Sequence, residues 1–136
     1  MTDKLPLVAD YMATELHTLG PDTDIHYAVG FLIDNRISGA PVVDDGKLVG
    51  ILSEKDCLRL LATGVDHTDP QGTVKDFMVS AVETIPSNVN IYFVAGMFLQ
   101  KPFRRFPVVD DGVLVGQISR RDILRAIQER FAARRK

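Results

Sequence analysis

The sequence lacks the features that would indicate a disulfide framework, a metal cluster or a membrane anchor. Among its 136 residues there is one cysteine, Cys57, so neither an internal disulfide nor a cysteine metal cluster can form. There is no run of about 18 apolar residues that could form a membrane-spanning helix. The first residues, MTDKLP, have no apolar stretch like that of a signal peptide. We therefore expect a cytoplasmic protein with no membrane partner.

The sequence also has little net charge. Its 16 Lys and Arg residues and 18 Asp and Glu residues leave a net charge of −2, which argues against nucleic-acid binding by the chain as a whole. The clearest basic cluster is at the C-terminus and consists of Arg130, Arg134, Arg135 and Lys136. We interpret it as the solvated end of a helix, where cations suit the helix dipole. The alternative is a contact with RNA, DNA or an acidic partner.

What the sequence does contain is a long internal repeat. Val8–Arg59 aligns with Val74–Arg125 without a gap, at a constant offset of 66 residues. The decapeptides Pro41–Gly50 and Pro107–Gly116 differ at a single position. Such a repeat predicts one structural unit built twice, with the copies related by a pseudo-two-fold axis and a cleft where they meet. Any site that the repeat carries should then occur twice.

The repeat sets the predicted domain boundaries. They are repeat 1 at residues 8–62, a polar linker at 63–73, repeat 2 at 74–130 and a basic tail at 131–136. One copy of about 60 residues would bury only a marginal core, so we expect the two copies to pack together.

Each copy begins with an opening segment and a short extended piece, and then shows the apolar spacing of a helix. In the first copy this spacing runs from Ile25 to Ile33, and in the second from Ile91 to Leu99. The predicted N-caps are Asp22 in the first copy and Ser87 or Asn88 in the second.

After this helix the sequence pattern changes to that of a hairpin. Asp45–Gly46 is a turn signal between two short β runs. The return strand is almost continuously apolar, which predicts that both of its faces are covered. A second helix follows, to about Ala62 in one copy and Ala132 in the other. The predicted fold is therefore α/β, with helices packed on a small sheet in each half.

No catalytic constellation is visible. The histidines are His17, His26 and His67, and none of them has metal-ligand spacing. Cys57 aligns with an isoleucine in the second copy, which indicates a packed helix position rather than a nucleophile. There is no phosphate-binding loop or dinucleotide fingerprint. We therefore expect that the protein is not an enzyme and requires no metal or other cofactor.

The remaining polar pattern is Ser-x-x-Asp, at Ser53–Asp56 and Ser119–Asp122, where a strand ends and a helix begins. One interpretation is a capping box, which needs only local helix energetics. The other is a ligand site. A helix N-terminus and a serine hydroxyl favour a phosphate or ribose, and a nearby carboxylate can accept hydrogen bonds from the vicinal hydroxyls of a ribose.

The doubled pattern resembles a tandem pair of cystathionine-β-synthase (CBS) domains, often called a Bateman module. The resemblance is carried by Ile37–Asp56 and Phe103–Asp122 and covers about residues 8–130. It implies two βαββα repeats and the binding of adenosine-type ligands, such as AMP, ADP or ATP, in clefts between the copies.

The resemblance also implies roles for particular residues. Asp122 in one site and Asp56 in the other would bind the ribose hydroxyls, and Ser119 or Ser53 would face ribose or phosphate. Arg104 or Ser38 would lie near the phosphates. The opening segment of the opposite copy would help to enclose the base, which points to Thr14 for the Asp122 site and to Ser80 for the Asp56 site.

The two sites should not be equal. Guanidinium groups pair bidentately with phosphate oxygens, and the second copy offers Arg104, Arg105, Arg120 and Arg121. The matching positions in the first copy are Ser38, Gly39, Glu54 and Lys55. We therefore expect the Asp122 site to bind an adenine nucleotide more tightly than the Asp56 site. The alternative for the arginines is a solvated face.

The resemblance thus implies a stand-alone regulatory or sensor module. It would respond to its ligand by a change of conformation or dimerisation, as a homodimer that buries Tyr27, Phe31, Phe93 and Met97. The alternative is a ligand-independent interaction module that acts on a separate effector protein.

Overall fold

The computed structural model describes residues 5–62 and 71–134. Helices and strands follow one another in a repeated order: α1 Val8–Tyr11, α2 Ile25–Asp34, β1 Gly39–Asp44, β2 Lys47–Ser53, α3 Glu54–Cys57, α4 Arg59–Ala62, α5 Val74–Phe77, α6 Ile91–Gln100, β3 Arg105–Asp110, β4 Val113–Ser119 and α7 Arg120–Arg134. The predicted α/β class is confirmed. Across the described ranges, none of the helices is long and apolar enough to cross a membrane.

The chain divides into two compact units that differ from the two sequence repeats. The first-repeat unit is residues 17–82, and the second-repeat unit is residues 1–16 with 83–136. Each repeat's opening helix therefore belongs to the other repeat's unit. The amide of Val8 donates to the carbonyl of Val89 at 2.8 Å, and Val74 donates to Thr23 in the same way at 2.9 Å.

The long helices α2 and α6 form where the apolar spacing predicts them. Ile25, Ala28 and Leu32 are buried from α2, and the matching residues of α6 are also buried. The predicted N-caps were wrong, since the caps are Asp24 and Asn90. The predicted residues Asp22, Ser87 and Asn88 lie instead in the turn that precedes each helix. The carboxylate of Asp24 then accepts from two amides of the first helical turn at 3.0 and 3.1 Å.

Each repeat's hairpin is the most closely duplicated element. Asp45 and Gly46 have φ of 53° and 81°, and Asp111 and Gly112 have φ of 52° and 82°. Both pairs thus have the left-handed backbone of the predicted tight turn, which asparagine, aspartate and glycine tolerate best. Along each return strand, buried positions alternate with partly buried ones. One face of each return strand is therefore mostly buried, and the other is only partly buried, so the prediction that both faces are covered holds in part.

The second helices differ between the repeats. In the first repeat the helix is interrupted at Leu58, between α3 and α4, and is described to Ala62. In the second repeat α7 is continuous to Arg134, which includes part of the predicted basic tail. Residues 63–70 of the predicted linker and residues 135–136 of the tail lie outside the described residues.

The two cores have different contents at matched positions. In the second-repeat unit the rings of Phe98 and Phe106 pack with their centroids 4.8 Å apart, and Phe106 is 1% exposed. The matching residues of the first-repeat unit are Leu32 and Ala40, which are also buried. The second-repeat core is therefore the one built on aromatic packing.

Candidate functional site

The Ser-x-x-Asp pattern forms a complete hydrogen-bonded box in the second-repeat unit. Asp122 Oδ2 accepts from the amide of Ser119 at 2.8 Å and from its hydroxyl at 2.9 Å. In return, the Asp122 amide donates to Ser119 Oγ at 3.3 Å. This geometry places both side chains at the N-terminus of α7, where the helix dipole favours negative charge.

The first-repeat unit has the same box with nearly the same distances. Asp56 Oδ2 accepts from the amide and the hydroxyl of Ser53, both at 2.9 Å. The side chain of Asp56 is 14% exposed and that of Asp122 is 18% exposed. The capping interpretation is therefore correct for both copies. It does not exclude the ligand interpretation, because each carboxylate keeps its second oxygen outside the box.

That second oxygen faces an arginine that was not among the predicted site residues. Arg125 Nη2 lies 2.9 Å from Asp122 Oδ1 and also donates to the carbonyl of Tyr11 at 3.0 Å. In the first-repeat unit, Arg59 Nη2 lies 3.8 Å from Asp56 Oδ1 and donates to the carbonyl of Phe77. The signal was present in the sequence, since Arg59 and Arg125 are identical at the 66-residue offset and stand three residues after the aspartate.

The opening segments bring Thr14 and Ser80 into the units that contain the aspartates. Ala13 and Gln117 exchange two backbone hydrogen bonds at 2.8 and 2.9 Å, so Thr14 follows a residue fixed to β4. Val79 and Ile51 exchange the equivalent bonds on β2, each at 2.9 Å, and Ser80 follows Val79. The paired β4 and β2 residues lie two positions before Ser119 and Ser53.

A glycine allows each opening segment to lie so close to its strand. A Cβ atom added to Gly116 would lie 2.6 Å from the sulfur of Met12 and 2.8 Å from the carbonyl oxygen of Ala13. A Cβ added to Gly50 would meet Met78 and Val79 at the same distances. Any larger residue would therefore push away the segment that carries Thr14 or Ser80.

The basic side chains of the second repeat lie around the same helix start. The amide of Arg120 donates to the carbonyl of Arg104 at 3.1 Å, which places the backbone of Arg104 beside the first turn of α7. The side chains of Arg104 and Arg121 are exposed. The guanidinium of Arg120 instead donates to the carbonyl of Phe103 at 3.1 Å. Three of the arginines at this helix start, Arg104, Arg120 and Arg121, are thus exposed, and Arg120 is the one of the three that is bonded to Phe103.

The first repeat brings a different set to the matching place. The amide of Glu54 donates to the carbonyl of Ser38 at 2.8 Å, and Ser38, Glu54 and Lys55 are exposed. One carboxylate and one ammonium therefore stand where the second repeat has arginines. The two helix starts therefore carry different exposed charged side chains.

A cavity of about 790 Å³ lies in the first-repeat unit, lined mainly by α2, α3 and α4. Ser38 and Glu54 line it, together with apolar residues such as Leu32 and Ile37. At the two matched positions the second repeat has Phe98 and Phe103, whose rings pack against Phe106. The cavity is thus open where smaller side chains replace aromatic rings, and Asp56 is not part of its lining.

Cys57 occupies the packed position that the sequence indicated. It is partly buried against the first-repeat core, and burial is the main cause that raises the pKa of its thiol. A raised pKa disfavours the nucleophilic thiolate. In the part of the chain that the structure describes, no group of three or more His, Cys, Asp or Glu side chains could hold a metal ion.

Comparison with known proteins identifies the family. The family model described as "CBS domain" matches residues 8–63 and again residues 74–129. The chain therefore belongs to the CBS domain family and carries two CBS domains, which confirms the resemblance seen in the sequence.

Two curated relatives illustrate the similarity. The chloroplastic CBS domain-containing protein CBSX1 of Arabidopsis thaliana is 34% identical over an alignment of 139 positions. The alignment covers 82% of this chain and 59% of CBSX1. The CBS domain-containing protein YhcV of Bacillus subtilis (strain 168) is 30% identical over 117 residues, which cover 85% of this chain and 81% of YhcV. The chain thus spans less than two thirds of CBSX1 but most of YhcV.

Two similar crystal structures contain adenosine compounds. CBSX2 in complex with AMP has a TM-score of 0.79 and 32% identity, with 93% of this chain and 98% of that chain covered. The CBS domain pair of protein MJ0100, in complex with 5′-methylthioadenosine and S-adenosyl-L-methionine, has a TM-score of 0.74 and 29% identity, with 93% of this chain and 99% of that chain covered.

Proposed function

We propose that this CBS pair is a regulatory sensor that binds an adenosine-containing ligand such as AMP, ADP or ATP. The observation that carries the proposal is the duplicated Ser-x-x-Asp box, with one carboxylate oxygen outside the box at the start of a helix in each unit. Similar CBS pairs have been solved with AMP and with S-adenosyl-L-methionine. Such a ligand would act by stabilising one conformation or one assembly of the protein over another.

The residues around each box support a division of roles. Asp122 would accept hydrogen bonds from the ribose hydroxyls and Ser119 would bond ribose or phosphate, while Thr14 would help to enclose the base. Arg104 and Arg121 would pair with the phosphates, since their guanidiniums are exposed beside the helix start. In the first-repeat unit the corresponding residues are Asp56, Ser53, Ser80, Ser38 and Lys55.

The charges around the boxes favour the Asp122 site for phosphorylated ligands. Glu54 lies at the start of α3 and would repel a phosphate there, whereas the matching residue in the second repeat is Arg120. The two sites also differ in the arginine beside the carboxylate, since Arg125 lies 2.9 Å from Asp122 Oδ1 and Arg59 lies 3.8 Å from Asp56 Oδ1.

A thermal-shift experiment tests this function. We expect millimolar AMP, ADP or ATP to raise the Tm of the wild-type protein, because a ligand that binds only the folded state stabilises it by mass action. At a concentration of about 100 Kd the gain is about 2.7 kcal/mol, which corresponds to a shift of several degrees. S-adenosylmethionine should be included, with GMP as a control for the base.

A flat response to all the adenosine compounds would instead favour the second candidate, an interaction module that acts without a ligand on a separate effector. One observation supports that candidate as well as a homodimer. Large apolar side chains are exposed on the helices, including Tyr27 on α2 and Phe93 on α6. Phe31 and Met97 are partly buried against the cores of their own units, so they would add less to an interface. We propose a cytoplasmic homodimer that uses these exposed faces.

A further inference from the structure

We infer that Arg125 is a positioning residue that ties the ribose-binding carboxylate of Asp122 to the opening segment of the chain. The inference rests on the proposed function, because it assigns a role within the same site. It concerns a side chain that need not touch the ligand.

The guanidinium of Arg125 is held by three contacts. Its Nη2 atom lies 2.9 Å from Asp122 Oδ1 and 3.0 Å from the carbonyl oxygen of Tyr11, the last residue of α1. Its Cζ atom lies 5.9 Å from the centre of the Tyr11 ring. The phenol of Tyr11 in turn donates to Glu129 Oε2 at 2.7 Å. Helix α7 thus contacts Tyr11, at the end of α1, through Arg125 and through Glu129. Arg125 is also the residue that is bonded to Asp122.

The hydrogen bonds of the Asp122 carboxylate indicate how a ribose can bind while Arg125 remains in place. A carboxylate offers about four acceptor positions. The Ser119 amide and hydroxyl use two on Oδ2, and Arg125 uses one on Oδ1. One position is open, and a second opens when the Ser119 hydroxyl turns its hydrogen to the ligand. Two vicinal hydroxyls can then bond the carboxylate without displacing the arginine.

The same contact fixes the segment that carries Thr14. The chain is held at the Tyr11 carbonyl by Arg125 and, two residues later, at Ala13 by Gln117. Thr14 follows directly. The Asp122 carboxylate and the segment that carries Thr14 are therefore held in position relative to each other before a ligand binds. This lowers the entropic cost of ordering the site on binding.

The first-repeat unit contains a looser version of this arrangement. Arg59 donates to the carbonyl of Phe77 and lies 5.7 Å from the centre of its ring, but stands 3.8 Å from Asp56 Oδ1. Phenylalanine also has no hydroxyl to bond a neighbouring helix. Arg59 should therefore contribute less to ligand binding than Arg125.

The test is calorimetric titration of AMP and of 2′-deoxy-AMP into the wild-type protein, Arg125→Ala and Arg125→Lys. We expect Arg125→Ala to weaken AMP binding about tenfold, which is the loss of roughly one charge-assisted hydrogen bond. The affinity for 2′-deoxy-AMP should fall less, because this ligand lacks one of the two ribose hydroxyls. The ratio of the two affinities should therefore decrease in the variant. Lysine should recover only part of the preference, because a single ammonium cannot reproduce the planar fork of guanidinium.

Arg130→Ala is the matched control. It removes the same charge from the same helix, at a side chain that lies over the Tyr92 ring. It should leave both affinities unchanged. Since Arg125→Lys keeps a long cationic side chain, it provides the measurement if Arg125→Ala does not fold.

An equal loss for the two ligands in Arg125→Ala would overturn the inference, because it would mean that Arg125 does not act through the carboxylate that binds the ribose hydroxyls. Unchanged AMP binding by Arg125→Ala would overturn it too, since the arginine would then make no contribution. Tighter AMP binding would also contradict it, because it would mean that the arginine competes with the ribose hydroxyls for the Asp122 carboxylate. Failure of the proposed function gives a different result. In that case wild type itself does not bind AMP, or Asp122→Ala binds it as wild type does.

Discussion

Asp122→Ala is expected to weaken the tighter phase of AMP binding by at least about a hundredfold. The carboxylate would accept hydrogen bonds from two ribose hydroxyls, and each bond to a charged group contributes about 1.5–3 kcal/mol. Losing both therefore exceeds two factors of ten in Kd. In calorimetry the variant should retain only the weaker phase, which we assign to the Asp56 site.

Asp56→Ala is the matched variant for this prediction, since both aspartates form the same box with a serine. It should remove the weaker phase and leave the tighter one. Asp122→Asn separates binding from folding, because an amide oxygen can still accept from Ser119 while the charge is gone. A larger loss of AMP affinity from Asp56→Ala than from Asp122→Ala would reverse the proposed ranking of the sites.

Phe106→Ala is expected to lower the free energy of unfolding by about 3–5 kcal/mol, the usual cost of removing a fully buried phenylalanine ring. Phe106 is 1% exposed and contacts the rings of Phe98 and Phe103. Its removal would leave a cavity at the centre of the aromatic cluster. Urea unfolding followed by circular dichroism measures the change.

Phe131→Ala makes the same chemical change at an exposed position of the same unit, on α7. It should alter stability by about 0.5 kcal/mol or less. A loss below about 1 kcal/mol in Phe106→Ala would contradict the packing described for this core.

The elements that the sequence predicted best are those determined by local chemistry. Asp45–Gly46 and Asp111–Gly112 require a left-handed backbone, and the two residues of each pair have positive φ. The apolar spacing placed the start of α2 and α6 at the observed residue and the end of each helix one residue early. The N-caps were missed because Asp22, Asp24, Ser87 and Asn90 are all good capping residues, and only the path of the preceding turn selects among them.

The features that could not be predicted depend on contacts between distant parts of the chain. The sequence shows that an arginine stands three residues after each aspartate, but the bond from Arg125 to the carbonyl of Tyr11, over one hundred positions away, is visible only in the folded chain. The interruption between α3 and α4 at Leu58 was not predicted, because residues 54–62 contain no proline or glycine. The cavity of the first-repeat unit is lined by residues from α2, α3 and α4, which are brought together only by the fold.

The most direct test of the central claim is a crystal structure of the wild-type protein grown with AMP. We expect the ribose hydroxyls to lie within hydrogen-bonding distance of the Asp122 carboxylate and the phosphate to lie beside Arg104 and Arg121. The contact of Arg125 with Tyr11 should be retained. AMP bound away from both Ser-x-x-Asp boxes, or absent from crystals grown in its millimolar presence, would contradict it.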